Sequence, residues 1–209
     1  MSQRRGNLLY RRRDVTLGRL FAGSSFFEVD DVKHWTTIRE RLLGEYPLIT
    51  LRERTVKNSL SGAVNTFVVA NVADWVNIAA VTRDGNMLLV EQPRAGIDDT
   101  TLEIPGGTVD GTEEPLDAAQ RELLEETGYV AEEMVYLGKV AVNPALQNNW
   151  CHLYLAKGAH KVSEPNPDPE EDITLRIVTV DEVLRMIDAG EIVHSLGVLC
   201  VLKALRLDA

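Results

Sequence analysis

Between Gly107 and Tyr129 the 209-residue chain reads GTVDGTEEPLDAAQRELLEETGY, seven acids against one arginine. A helix turns by about 100° per residue, which places Glu122, Glu125 and Glu126 within roughly 100° of arc. Leu116, Ala119 and Leu123 form the apolar stripe beside them. Like charges at i, i+3 and i+4 repel by some tenths of a kcal/mol per pair, so this face weakens a bare helix. A solvated acidic face is the bland account of such a run. Clustered carboxylate oxygens are also what hard divalent cations such as Mg²⁺ and Mn²⁺ prefer. The glycines that lead into the run let backbone come close to a bound ion or phosphate. Arg121 can hold Glu113 or another acid through a bidentate contact. The chemistry on offer is that of a metal platform.

The spacing is itself specific. Gly107, five residues, Glu113, seven residues, Arg121-Glu122-Leu123, one residue, Glu125-Glu126, one residue, Gly128 and Tyr129 resemble the complete Nudix box. That box is the signature of hydrolases acting on nucleoside diphosphates linked to another moiety. Every fixed polar position matches, and Tyr129, where an aliphatic residue is commoner, is a mild departure. Gln92-Pro93-Arg94 resembles the Q-x-R segment of the family's ADP-ribose pyrophosphatase branch. Leu102-Glu103-Ile104-Pro105-Gly106-Gly107 is similar to that branch's approach to the box, and Pro144 stands where the branch carries a proline. Glu171-Asp172-Ile173 resembles the acidic end of the loop that supplies the proposed catalytic base.

The resemblance implies two or three Mg²⁺ (or Mn²⁺) ions held by Glu122, Glu125, Glu126 and the backbone carbonyl of Gly106. It implies cleavage of ADP-ribose, or a related nucleoside diphosphate sugar, to a nucleoside monophosphate and a sugar phosphate. Glu113 and Arg121 would stand behind the ligands and orient them. Glu171 is the first candidate for the base and Glu170 the second; Pro169 stands where some relatives carry a glutamate, and Glu125 could serve instead. Arg94 suits a phosphate, with its planar fork, or an ordinary ion pair. Glu103 could hold a ribose hydroxyl or a water at the metal site, or be a mere edge charge. Gln147 and Asn148, in the amide-rich stretch 143–149, could read a sugar or terminal phosphate, or fold their own loop. Two other activities remain open: hydrolysis of a dinucleoside polyphosphate or modified nucleotide, and a Nudix-fold ligand sensor that does not cut. Cys151 and His152 lack the third group that a nucleophile pair needs, and no zinc spacing is present. A structural role is expected for His194.

These residues need elements to position them. Proline in the first turn and Gly128 as a stop predict a helix over 115–127. Strands are expected over 66–72, 76–82, 87–92, 101–104, 134–142, 151–157 and 173–180, with Asp84-Gly85-Asn86 as a hairpin turn. Asp181 is expected to cap a helix that ends at Gly190, and a last helix covers 195–205. Val32, Trp35, Ile38, Leu42 and Leu43 predict an amphipathic helix over 32–46. The class is α+β, a Nudix fold with a mixed sheet sandwiched between helices. Residues 163–172, with three prolines and five acids, read as an exposed loop.

Twenty-two basic against thirty-two acidic residues leave a formal charge of −10, which disfavours nucleic acid as a partner. The partner expected is a small-molecule nucleotide, with divalent ions offsetting the acid charge. No apolar run approaches the ~18 residues of a spanning helix, so no membrane is expected. Two cysteines without a secretory signal suggest a reducing, cytoplasmic interior. Residues 1–19 hold six arginines and one acid. Residues 1–30 therefore read as a disordered extension, a transit-type segment or a start placed too far upstream. Residues 31–65 are the helix and strand segment suited to dimerisation, and 66–209 the catalytic domain. The branch's homodimers cross N-terminal strands to the partner, which would assign such a role to 50–75. Trp75 or Phe67 would then stack on a base, although burial in a core strand is the simpler account of each.

Overall fold

The computed structural model describes residues 34–167 and 172–207. The arginine-rich extension lies outside the described residues. The strands and helices all fall in one compact unit, residues 35–209. Its first part is a three-stranded antiparallel sheet of β1 (Trp35–Glu45), β2 (Thr50–Asn58) and β3 (Val64–Asn71).

This corrects the helix expected over 32–46, of which the described part is the strand β1. The pairing of β1 with β2 slips between Thr37 and Arg39 and again between Leu42 and Gly44. Each slip inserts one residue, Ile38 and Leu43, so the apolar residues lose strict alternation and imitate a helical period. Long-range pairing decides the matter: Glu40 meets Arg52 and Arg54, and Arg41 meets Glu53, across the two strands.

The second sheet has eight strands: β4 (Trp75–Thr82), β5 (Asn86–Arg94), β6 (Asp99–Glu103), β7 (Gly106–Thr108), β8 (Tyr129–Val130), β9 (Glu133–Ala141), β10 (Trp150–Lys161) and β11 (Thr174–Thr179). Its spine runs β11-β5-β4-β10-β8, with β6 beside β5, β7 beside β4 and β9 beside β10. The β4–β10 pair is parallel and the others antiparallel, so the sheet is mixed.

Strands buried on both faces read as unbroken apolar runs, and alternate residues part to the two sides. Val76, Ile78, Ala80 and Leu88 pack with Ala118, Ala119 and Leu123 of α1 (Pro115–Thr127). Ala79, Met87, Leu89, Leu153 and Leu155 pack with α2 (Val180–Ala189) and α3 (Ser195–Leu205). The result is the expected mixed sheet between helices. Pro115 opens α1, and Gly128 closes it at φ 75°, donating its N–H to the Leu124 carbonyl. The cap of α2 is Thr179, whose hydroxyl accepts the Glu182 N–H, rather than Asp181, which falls in the first turn.

Candidate active site

The strand β7 brings Gly106 and Gly107 against the second half of α1. Gly106 donates its N–H to Glu126 Oε2 at 2.9 Å. A Cβ on Gly107 would lie 2.2 Å from Glu122 Oε1, so only glycine leaves room for that carboxylate on the strand. A Cβ on Gly106 would lie 2.3 Å from the Val76 carbonyl oxygen. Glu122 and Glu126 are buried, Glu126 to 2% exposure.

Arg121 ties the acids together. Its Nε and Nη2 reach the two oxygens of Glu113 at 3.1 and 3.0 Å, and Nη2 also donates to the Thr108 carbonyl at 3.0 Å. Nη1 donates to Glu122 Oε1 at 2.9 Å and Glu125 Oε2 at 3.0 Å. The hydrogen bonds from Arg121, then the Asp110 N–H and the charge of Arg121, hold the Glu113 carboxyl below the usual carboxylate range. Glu113 in turn, aided by Glu122 and Glu125, pushes the guanidinium further above its ordinary value.

Carboxylates of Glu122 and Glu125 thus converge on one cationic nitrogen, with Glu126 beside them. The donor set is hard, anionic and in excess of the single guanidinium, which fits a divalent cation. Glu122, Glu125, Glu126 and the Gly106 carbonyl could hold it. Among the described residues, no three acidic, His or Cys side chains enclose a cation position as they stand.

The candidate bases Glu170 and Glu171 lie outside the described residues. The segment leading to them passes the acid cluster of α1, where the Asn166 N–H donates to the Glu125 carbonyl at 2.7 Å. Arg94 and Glu103 are brought together. Arg94 Nε and Nη2 donate to the two Glu103 oxygens at 2.8 and 2.9 Å, and Thr101 adds its hydroxyl. Glu103 is only 2% exposed. Its burial alone would raise its carboxyl, but the hydrogen bonds from Arg94, the close approach of the His194 ring and the Thr101 hydroxyl outweigh that and hold it well below the usual range.

His194 was not singled out for this place by any sequence signal. Its Nδ1 lies 2.8 Å from Glu103 Oε2, off the alignment of a full hydrogen bond.

Gln147 and Asn148 sit in a loop fastened to the linker between the sheets. Gln147 bridges to Ala70, and Asn148 Oδ1 accepts the Val72 N–H at 3.0 Å. The Cys151 and Cys200 thiols are buried and pushed up to about 12 by that burial, a poor state for a nucleophile.

The NUDIX domain profile matches residues 74–195, a span that contains the acid cluster of α1, its glycine approach and the Arg94–Glu103 pair. Over 127 residues the chain is 36% identical to the methanol dehydrogenase activator of Bacillus methanolicus, covering 60% of this chain and 69% of the relative. It is 32% identical over 168 residues to the ADP-ribose pyrophosphatase of Mycobacterium tuberculosis, covering 79% of this chain and 81% of the relative. A crystal structure of an ADP compounds hydrolase superimposes with a TM-score of 0.73 over 84% of this chain and 95% of its own, at 16% identity. That last likeness is one of fold. The profile match over more than half of the chain and the box in place on β7 and α1 together establish that the chain belongs to the Nudix family.

Proposed function

We propose that the protein is a Nudix hydrolase that cleaves the diphosphate of ADP-ribose, or of a related nucleoside diphosphate sugar, to a nucleoside monophosphate and a sugar phosphate. The observation that carries this reading is the excess of carboxylate on one turn of α1, set against the Gly106–Gly107 backbone. The substrate class draws support from the pyrophosphatase of M. tuberculosis, which aligns along most of both chains.

Glu122, Glu125 and Glu126, with the Gly106 carbonyl, are the groups that would hold two or three Mg²⁺ or Mn²⁺ ions. Bound there, the ions would offset the charge of the diphosphate and polarise the phosphorus under attack. The chain's own part is orientation. Glu113 fixes Arg121, and Arg121 keeps Glu122 and Glu125 turned to a common point. Glu171 or Glu170 would take the proton from the attacking water, because the segment before them is moored at Glu125. Arg94 reaches solvent with 44% of its side chain and offers the diphosphate a planar fork beside the platform.

The reading includes a homodimer formed through the first sheet. Trp35, Ile38, Leu42, Phe67 and Val68 are exposed on this sheet, apolar side chains that a partner subunit could cover. Phe67, at 50% exposure, is the aromatic available to a base, whereas Trp75 packs against the core beneath α3. The free cysteines suit a reducing compartment such as the cytoplasm. Among the described residues no helix is long and apolar enough to cross a membrane.

The test is hydrolysis of a substrate panel with Mg²⁺ in ¹⁸O-labelled water. ADP-ribose should be among the best substrates, and label in one of the two phosphate products identifies the phosphorus attacked. Turnover of ADP-ribose below one hundredth of that of a dinucleoside polyphosphate or modified nucleotide would overturn the substrate class. Binding without turnover of any compound would make the protein a sensor.

A further inference from the structure

The most heavily partnered acid outside the box is Glu103. Arg94, Thr101 and His194 all converge on this buried carboxylate, from the end of β5, from β6 and from the start of α3. Of the three, Arg94 has the most access to solvent, 44% of its side chain against 27% for His194 and 3% for the carboxylate it holds. An arginine that turned from Glu103 toward a substrate phosphate would leave that carboxylate buried with the Thr101 hydroxyl as its one aligned donor, the His194 ring close by but not yet aligned. The cost of such an uncompensated charge would exceed what one phosphate contact returns.

His194 is placed to remove that obstacle. It occupies the N-cap of α3, yet its side chain makes no capping hydrogen bond. Its ring instead faces Glu103, with Nδ1 at 2.8 Å from Oε2 and short of proper alignment while the arginine fork occupies both oxygens. A small rotation of the ring would convert that approach into a full N–H···O bond.

We propose that His194 is a positioning residue for substrate: it takes over the Glu103 carboxylate when Arg94 turns to the diphosphate. The proposal rests on the reading that Arg94 meets the substrate. In this exchange Glu103 is never without a nitrogen donor, and the guanidinium moves between two anions. His194 itself does not touch the substrate.

The experiment measures binding of α,β-methylene ADP-ribose by calorimetry, with kcat and KM for ADP-ribose and thermal unfolding alongside. His194→Phe keeps the ring volume and removes the donor. It should weaken analogue binding by about tenfold, the worth of one hydrogen bond to a charged group, with kcat within about threefold of the parent. His194→Gln retains an N–H donor and should restore most of the affinity. In an Arg94→Ala background, His194→Phe should have no further effect on affinity.

If Arg94→Ala weakens binding while His194→Phe does not, the exchange is refuted and the functional reading stands. If Arg94→Ala leaves binding unchanged, the arginine does not meet the diphosphate and the proposal falls. A parent protein that hydrolyses no nucleoside diphosphate sugar refutes the functional reading on its own. Should the phenylalanine variant unfold, His194→Ala and His194→Gln carry the same comparison, and equal affinities in those two refute the exchange.

Discussion

Two acid clusters lie at the two ends of the short segment from Glu103 to Thr108 and differ in charge balance. Around Arg121, Glu113, Glu122 and Glu125 hydrogen-bond to one guanidinium, Asp110 lies 3.9 Å from it, and Glu126 accepts a backbone N–H. Around Glu103, one carboxylate has a bidentate arginine, a hydroxyl and an imidazole nitrogen. The first cluster carries net negative charge beside glycines that clear space for it. The second is neutral as a pair and closed to water at the acid. The contrast teaches that burial of a carboxylate does not mark a cation site; carboxylates in excess of their counter-charges do.

The largest test of this contrast removes charge without removing shape. Glu126→Gln keeps a carbonyl oxygen for the Gly106 N–H, so unfolding by urea should change by less than about 1 kcal/mol. Its kcat with Mg²⁺ should fall by more than about a hundredfold, beyond the range seen when only supporting residues of a metal site are lost. Glu125→Gln should behave likewise. Undiminished turnover in both would place the chemistry elsewhere.

Next in size is the pair of glycines. A Cβ on Gly106 meets the Val76 carbonyl oxygen at 2.3 Å, and that backbone belongs to the central strand β4. Gly106→Ala should therefore cost about 2 kcal/mol of stability, as forced overpacking does. A Cβ on Gly107 meets the end of the Glu122 side chain, which can swing aside. Gly107→Ala should leave the protein folded and lower kcat by about ten- to a hundredfold, because the Glu122 carboxylate would be moved from its place among the proposed metal ligands. Denaturant midpoints and kcat on the two variants separate the cases, and equal effects on both would deny that the carboxylate position matters.

How much of this was legible in the sequence depends on where each signal resides. The bounds of α1 are read correctly because Pro115 and Gly128 punctuate the chain at its own ends. The apolar runs of β4 and β5 show themselves as strands because both faces are buried. β1 is misread because Ile38 and Leu43 sit at pairing slips, and only the partner β2 makes them strand residues. At α2, Thr179 and Asp181 are both good caps two positions apart, and backbone geometry alone chooses between them. For the site, box spacing carries Glu113, Arg121, Glu122, Glu125 and Glu126, whose contacts are local to one helix and its approach. The lock of Arg94 on Glu103, and His194 beside it, depend on the register of β5 with β6 and the docking of α3, which no local pattern encodes. The backbone bridge of Gln147 to Ala70 at the end of β3, and the Asn148 side chain that accepts the Val72 N–H, are illegible in the sequence for the same reason.

A third test acts on the counter-charge. Arg121→Gln removes the guanidinium that Glu113, Glu122 and Glu125 share, and the repulsion left behind should lower the melting temperature. Mg²⁺ held among the acids, as proposed, would offset that repulsion in the folded state alone. Saturating Mg²⁺ should therefore raise the melting temperature of Arg121→Gln by about 2–4 °C more than that of the parent. An equal rise in both proteins would mean that the arginine and the ion do not share a place.

The smallest effect belongs to the balanced cluster, and its sign follows from the depressed carboxyl of Glu103. A carboxylate held below its unfolded value contributes stability that is fully present above the ordinary glutamate value of about 4.3. That contribution is lost as the pH falls from there toward the folded value, because the unfolded chain then binds the proton first. Glu113 is depressed as well, so the parent's acid sensitivity is not Glu103's alone. The difference between the parent and Glu103→Gln isolates it. Urea unfolding at pH 6, 4 and 3 should show the parent's advantage over Glu103→Gln shrinking by about 1 kcal/mol across that range. The arginine's access to water keeps the figure below that of a fully enclosed pair. An advantage that stays constant from pH 6 to pH 3 would show that Arg94 and His194 do not stabilise the charged form of Glu103, and the division between an excess cluster and a balanced one would lose its physical basis.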